Sequence, residues 1–232
     1  MIKIILKEIY LYRNKNKSKI LSKFFKTGSG QYGEGDVFLG LTVPISRKIA
    51  LKYKNISKAK ILSLLKNKIH EVRLIGILIL VFRYKEAKLK RKKEIVDFYL
   101  KNTKCINNWD LVDLSAHYIL GDFLLGKKNK KILFKLAHSR NLWEQRIAII
   151  STLAFIKKGK IKWTTKIAKI FINHKHDLIH KATGWMLREV GKKNIKELRK
   201  FLDTNISQMP RTMLRYAIEK FPENIRKKYL RK

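Results

Sequence analysis

Residues 142–158 read LWEQRIAIISTLAFIKK and are followed by Gly159. Trp143, Ile147 and Ile150 recur at the helical period and form one apolar stripe, with Arg146 beside it. Ser139 or Asn141 suits the entry, because a side-chain oxygen there accepts a free amide of the first turn. Gly159 suits the exit, as glycine tolerates the left-handed backbone that ends helices. The same grammar repeats in both directions. It predicts helices near 2–13, 16–26, 44–54, 57–67, 69–85, 88–102, 109–125, 129–138, 142–158, 161–173, 177–190, 194–203, 210–220 and 223–230. Gly126 and Gly191 mark further exits, Asn108 and Asp177 further caps, and Pro44, Pro210 and Pro222 fit first helical turns. No alternating run of strand length stands out. Short helices that need neighbours to bury their stripes make a HEAT-like pattern. The expectation is an all-α, HEAT-like helical-repeat solenoid, one domain over 1–232, curved with a basic concave face.

The polar residues narrow the partner. Lys and Arg number 55 against 17 Asp and Glu, a net charge of +38 over 232 residues, while 45% hydrophobic residues suffice for a core. Such an excess repels itself on compaction and favours a polyanion. Nucleic acid is the first candidate, bound through phosphates without sequence preference, and an anionic membrane the second. Cys105 is the sole cysteine, so there is no disulfide framework and no cysteine-based zinc site. The N-terminus MIKIILKEIYLYRN lacks a signal-peptide core, and the longest apolar run, Leu74 to Phe82, is too short to span a bilayer. A soluble, cytoplasmic protein held at the nucleoid by DNA is expected, without a membrane partner.

Residues 27–42, TGSGQYGEGDVFLGLT, break the helical pattern. Gly28, Gly30 and Gly33 satisfy G-x-G-x-x-G, but that fingerprint works only between a strand and a helix. Here it follows a helix ending near Phe24 and Phe25, and no Walker Gly-Lys-Ser/Thr is present. The segment reads as a surface loop whose backbone could approach a ligand closely, and no cofactor is expected.

Four stretches could carry chemistry. In Asn107–Asp113, NNWDLVD, Trp109 and Asp113 are one helical turn apart and share a face, an arrangement suited to a cationic ligand or to a core Trp with a capping Asp. Arg146, among apolar neighbours, needs a carboxylate such as Asp113 or a phosphate. In the stretch 180–191, HKATGWMLREVG, Gly184 beside Trp185 implies close approach to the backbone, by a ligand or by another helix. Arg211 and Arg215, near Tyr216, fit phosphate contacts or a solvated face. His174, His176 and His180 read as a solvated turn rather than a metal site, lacking the Glu of H-E-x-x-H.

Together these stretches resemble the AlkD-like DNA alkylation repair glycosylase family, a HEAT-like fold. The resemblance runs through Phe38-Leu39-Gly40 with Pro44 and Arg47, NNWDLVD at 107–113, Leu-Gly-Asp at 120–122, WEQRIAII at 143–150, HKATGWMLREVGKKN at 180–194 and PRTMLRYAIEKF at 210–221. It implies a monomer that holds duplex DNA and excises cationic N3- and N7-alkylated purines without flipping the base into a pocket. By the same resemblance Asp113 is the catalytic carboxylate, Trp109 and Trp185 the aromatic contacts, and Arg146 the family's arginine. Arg47, Lys181, Arg188, Arg211 and Arg215 are the expected DNA contacts, and all four catalytic positions are expected to converge. Some relatives carry an active-site tyrosine in the helix where this chain has Phe24 and Phe25, with Tyr32 in the following loop as a substitute. Two rivals remain: a member that binds branched or damaged DNA without catalysis, and a HEAT scaffold for proteins, which would not require +38.

Overall fold

A computed structural model describes residues 1–231, and the described chain is all-helical. The β character is confined to an isolated bridge between Val37 and Ile69. The chain forms two compact units, 1–115 and 116–232. The first holds α1 (Ile2–Leu11), α2 (Lys15–Phe24), α3 (Val43–Lys52), α4 (Lys58–Leu65), α5 (His70–Glu86), α6 (Leu89–Lys101) and α7 (Trp109–Asp113). The second begins with a π-helical turn, His117–Gly121, and α8 (Asp122–Leu125). It continues with α9 (Lys131–Ala137), α10 (Leu142–Ser151), α11 (Leu153–Lys157), α12 (Lys162–Ile170), α13 (Asp177–Lys193), α14 (Ile195–Asn205), α15 (Arg211–Ala217) and α16 (Glu223–Arg231).

Each unit is built around one long helix. In the first, α5 packs against α3, α4, α6 and α7. Every residue from Ile69 to Val81 is buried and, beyond its charged first turn, α5 is apolar around its circumference from Leu74 to Phe82, so it must lie at the centre. In the second, α13 plays that part against α10, α11, α12, α14 and α15. Each fully buried Leu or Ile contributes roughly 1.5–3 kcal/mol, which is how the units withstand their like charge.

Several boundaries differ from the sequence reading. Expected helix 109–125 ends at Asp113 and resumes as the π-helical turn and α8. Gly121 packs on α10 there, and a Cβ would fall 2.3 Å from the Ser151 carbonyl. Expected helix 142–158 is interrupted at Thr152, whose hydroxyl donates to the Ile149 carbonyl at 2.6 Å. Asp177 is not a cap: His176 Nδ1 accepts from the Leu178 amide. Pro210 and Pro222 stand just before their helices, and only Pro44 lies inside a first turn. Gly191 is not an exit either, because α13 runs on to Lys193, and the missing Cβ admits Leu198 of α14.

Gly184 has the same explanation. Its Cβ would lie 2.4 Å from the Met213 carbonyl oxygen and 2.5 Å from Tyr216 Cβ, so α15 is what approaches the backbone beside Trp185. Ala favours a helix interior by about 1 kcal/mol over Gly. Forcing a methyl against backbone costs about 1–3 kcal/mol, so Gly184→Ala should lower the melting temperature in a thermal unfolding scan. An unchanged or raised value would contradict this packing.

Candidate functional site

The site in the first unit starts from α7. Asn108 caps it, its Oδ1 accepting from the Trp109 amide at 2.8 Å, and Asp110 Oδ1 accepts from the Leu111 amide at 2.8 Å. Both residues also reach away from the helix. Asn108 Nδ2 donates to Asp36 Oδ2 at 3.0 Å, and Asp110 Oδ2 meets His70 Nε2 at 2.8 Å. The other ring nitrogen, His70 Nδ1, lies 3.2 Å from Asp36 Oδ2, and Arg73 Nη2 donates to Asp36 Oδ1 at 2.6 Å. His70 is 2% exposed. A carboxylate faces each ring nitrogen, so both must donate and the imidazole is doubly protonated. Burial pushes its pKa down, but the charge and hydrogen bond of Asp110, with the bond to Asp36, outweigh that and raise it to about 9. For Asp36, burial acts upward, and the His70 bond, the Arg73 charge and the Asn108 bond hold the carboxyl below its usual range.

Aromatic rings cover this cation. Phe38 stacks on His70 with ring centres 4.5 Å apart, and Phe25 lies 5.0 Å from the same ring. Phe25 also stacks on Trp109 at 5.0 Å and 11°, while Phe24 meets the indole edge-on at 5.8 Å. Phe24 itself is 61% exposed. Tyr32 turns its hydroxyl to the Phe24 carbonyl at 3.3 Å. Trp109 and Asp113 are each half-buried, at the two ends of α7. The buried Tyr99 phenol has a raised pKa from desolvation, with the charge of Asp113 adding to it.

The surface-loop reading of the glycine-rich segment needs a correction, because its stretch from Phe38 to Leu41 is not surface. Residues 38–41 are buried, and the close approach to their backbone is made by the protein itself. Glu71 accepts from the amides of Leu39, Gly40 and Leu41 at 2.8–3.2 Å. Gly40, at φ +90°, leaves no room for a Cβ against the Asn14 carbonyl. His70, Glu71 and Arg73 therefore bind the loop to the first turn of α5. Sequence reasoning missed all three, although three ionisable residues directly before the apolar run Leu74 to Phe82 signalled buried polar partners.

In the second unit, Arg146 is 5% exposed, and its Nη1 donates to the Leu178 carbonyl at 2.5 Å, tying α10 to the first turn of α13. His174 Nδ1 accepts from the His176 amide at 3.0 Å, and its Nε2 donates to Gln145 Oε1 at 2.9 Å. His180 Nε2 donates to the His174 carbonyl. The three histidines thus shape the entry to α13. Among the described residues no group of three His, Cys, Asp or Glu could hold a metal ion.

Lys181, Trp185 and Arg188 follow one another along α13 at spacings of four and three, on one side of that helix. Trp185 is half-buried. Lys181 pairs with Asp177 at 2.7 Å, and Arg188 pairs with Glu219 of the chain following α15. Arg211 Nη2 donates to the Leu230 carbonyl at 2.7 Å, Arg215 is exposed, and Arg47 on α3 is half-buried. The structure thus joins Trp109 with Asp113 on α7, and groups Lys181, Trp185 and Arg188 on α13.

A family model described as DNA alkylation repair enzyme matches residues 5–221, nearly the whole chain. The chain belongs to that family. Among solved structures it is similar to a predicted DNA alkylation repair enzyme from Enterococcus faecalis, with TM-score 0.70 and 16% identity over 91% of this chain and 97% of the other. It is also similar to AlkD2 from Streptococcus mutans, with TM-score 0.58 and 18% identity over 90% of this chain and 99% of the other. At those identities the likeness concerns the fold. No curated protein sequence matches. For this DNA alkylation repair family member, among the described residues, no helix is long and apolar enough to cross a membrane.

The His70 clamp sets a pH dependence. With a pKa raised from 6.5 to about 9, its contribution to stability is whole below about pH 6.5 and is lost as pH rises through about 9. The lost stabilisation is on the order of 3 kcal/mol. Melting temperature should fall between pH 6.5 and 9.5 in the wild type, and much less in His70→Gln, which is less stable throughout. Parallel pH profiles for the two would contradict the charged clamp.

Proposed function

We propose that this chain is a DNA glycosylase that hydrolyses the N-glycosidic bond of cationic N3- and N7-alkylated purines in duplex DNA. The observation that carries the reading is α7, where a half-buried indole backed by Phe25 and a half-buried carboxylate stand one turn apart, in a chain whose family is DNA alkylation repair enzymes. An alkylated purine is already a cation, so no acid need protonate it. As the C1′–N9 bond breaks, its electron pair goes to the purine and neutralises it, and the sugar becomes positive. Asp113 supplies the opposing charge, as carboxylates do at oxocarbenium-like centres. Water then bonds to C1′ and its proton passes to solvent. Trp109 and Trp185 favour the cationic nucleotide through their π faces.

In this reading Arg146 acts by positioning α13, since part of its guanidinium is engaged by the Leu178 carbonyl. Arg47, Lys181, Arg188, Arg211 and Arg215 contact phosphates; Lys181 and Arg188 exchange exposed carboxylate partners for them, a change of small cost because surface ion pairs are worth about 0–1 kcal/mol. The whole chain works as one monomeric DNA-binding domain without a base-flipping pocket. Its charge of +38 holds it on DNA in the cytoplasm, at the nucleoid.

Single-turnover excision of one 7-methylguanine from a duplex tests the reading. Asp113→Asn keeps the shape and loses the charge, so excision should slow about 10²–10³-fold. Duplex affinity, spread over many lysines and arginines, should stay within about twofold. Mutant excision at the wild-type rate would remove Asp113 from the chemistry. A wild type that binds but excises nothing above background would leave a non-catalytic member that binds damaged or branched DNA.

A further inference from the structure

The first unit carries a cleft of about 510 Å³ whose wall includes neither Trp109 nor Asp113 and is made by the turn between α4 and α5, the turn before α7, and Glu34 to Asp36. Lys66, Lys68 and Lys104 project around it, all exposed. Among the described residues none of the three forms an ion pair. The acids in the wall are engaged elsewhere: Glu34 accepts from the Gly30 amide at 2.9 Å, and Asp36 is held by Arg73, His70 and Asn108. Arg73, 4% exposed, completes the wall with its Nε lacking a protein acceptor. The wall's four cations, Lys66, Lys68, Lys104 and Arg73, thus outnumber its two carboxylates, Glu34 and Asp36, and leave an excess of positive charge.

We infer that this cleft seats a backbone phosphodiester of the bound duplex, held by Lys66, Lys68 and Lys104, as a contact separate from the α7 site. The inference rests on the proposed DNA-binding function and adds a place to it. Three ammonium groups around one open cleft suit an anion that arrives with its own chain, because lysine acts as a point charge and demands no fixed approach. Arg73 and doubly protonated His70 are offset by Asp36 and Asp110, so the excess charge of the cleft comes from the three lysines, opposed in the wall by Glu34. Phosphate contacts of this kind set register on the duplex and carry no sequence information.

Cys105 lies in the same cleft, is partly exposed and is the sole cysteine, so its thiol is a built-in reporter. Alkylation by neutral iodoacetamide should be followed with and without saturating undamaged duplex, whose occupancy is fixed independently by fluorescence anisotropy. Thiol reaction depends on access, so the duplex should slow it about tenfold or more. Lys66→Ala/Lys68→Ala/Lys104→Ala should abolish that protection at equal duplex occupancy. It should also flatten the slope of log affinity against log salt by about 0.9, the contribution of one phosphate. A charge-matched Lys88→Ala/Lys90→Ala/Lys101→Ala control should keep the protection. Far-ultraviolet circular dichroism confirms that both triples are folded. Inorganic phosphate at millimolar concentration should protect little, and protection by it but not by the duplex would overturn the inference. Full duplex occupancy with Cys105 reacting at the free rate would overturn the cleft contact and leave the glycosylase reading standing. No duplex binding at all would overturn both.

Discussion

A buried positive charge on His70 holds the first unit's candidate site together. An imidazolium with carboxylates on both ring nitrogens fixes three segments at once: the first turn of α5, the loop through Asp36, and the start of α7 through Asp110. Asn108 and Arg73 close the network on Asp36. Removing one partner from such a network leaves a buried charge uncompensated, at a cost of about 3–5 kcal/mol. Phe25 then links the clamp to function, since it contacts His70 and stacks on Trp109. The indole is placed by a charge two rings away.

The second unit reaches a comparable rigidity by a different route. Its central helix α13 is pinned at its start by Arg146 and the histidines, and farther along it is crowded by neighbours that only glycine admits. Gly184 and Gly191 remove side chains where α15 and α14 arrive. The half-buried Trp185 therefore sits on a helix held at several points. Both long helices spend their apolar surface inward, which leaves the lysines outside to meet a polyanion.

Much of the helical order was legible because its signals are local. Asn108 and Asn141 do cap α7 and α10, and the apolar run after Arg73 does become the core of α5. Errors arose where the deciding contact is distant. Gly191 resembles a helix exit until Leu198 is seen occupying the space of its Cβ. The loop at 27–42 resembles a surface loop throughout until Glu71, some thirty residues on, is seen capping the amides of Leu39, Gly40 and Leu41. Asp36 and Asp110 lie 34 and 40 residues from His70, beyond the reach of any periodicity. Trp109 and Asp113 were singled out by spacing, but only the family resemblance gave them roles. The resemblance pointed to the position of Phe24 and Phe25, but the packing of Phe25 between His70 and Trp109 shows only in the fold.

The placement of Trp109 depends on the protonation of His70, and nitrogen NMR of histidine-labelled protein reads it directly. Both His70 ring nitrogens should show imidazolium shifts at pH 7.5 and convert only as pH approaches about 9. A neutral His70 at pH 7.5, titrating near 6.5 like a free side chain, would contradict the charged clamp and the placement of Trp109 that depends on it.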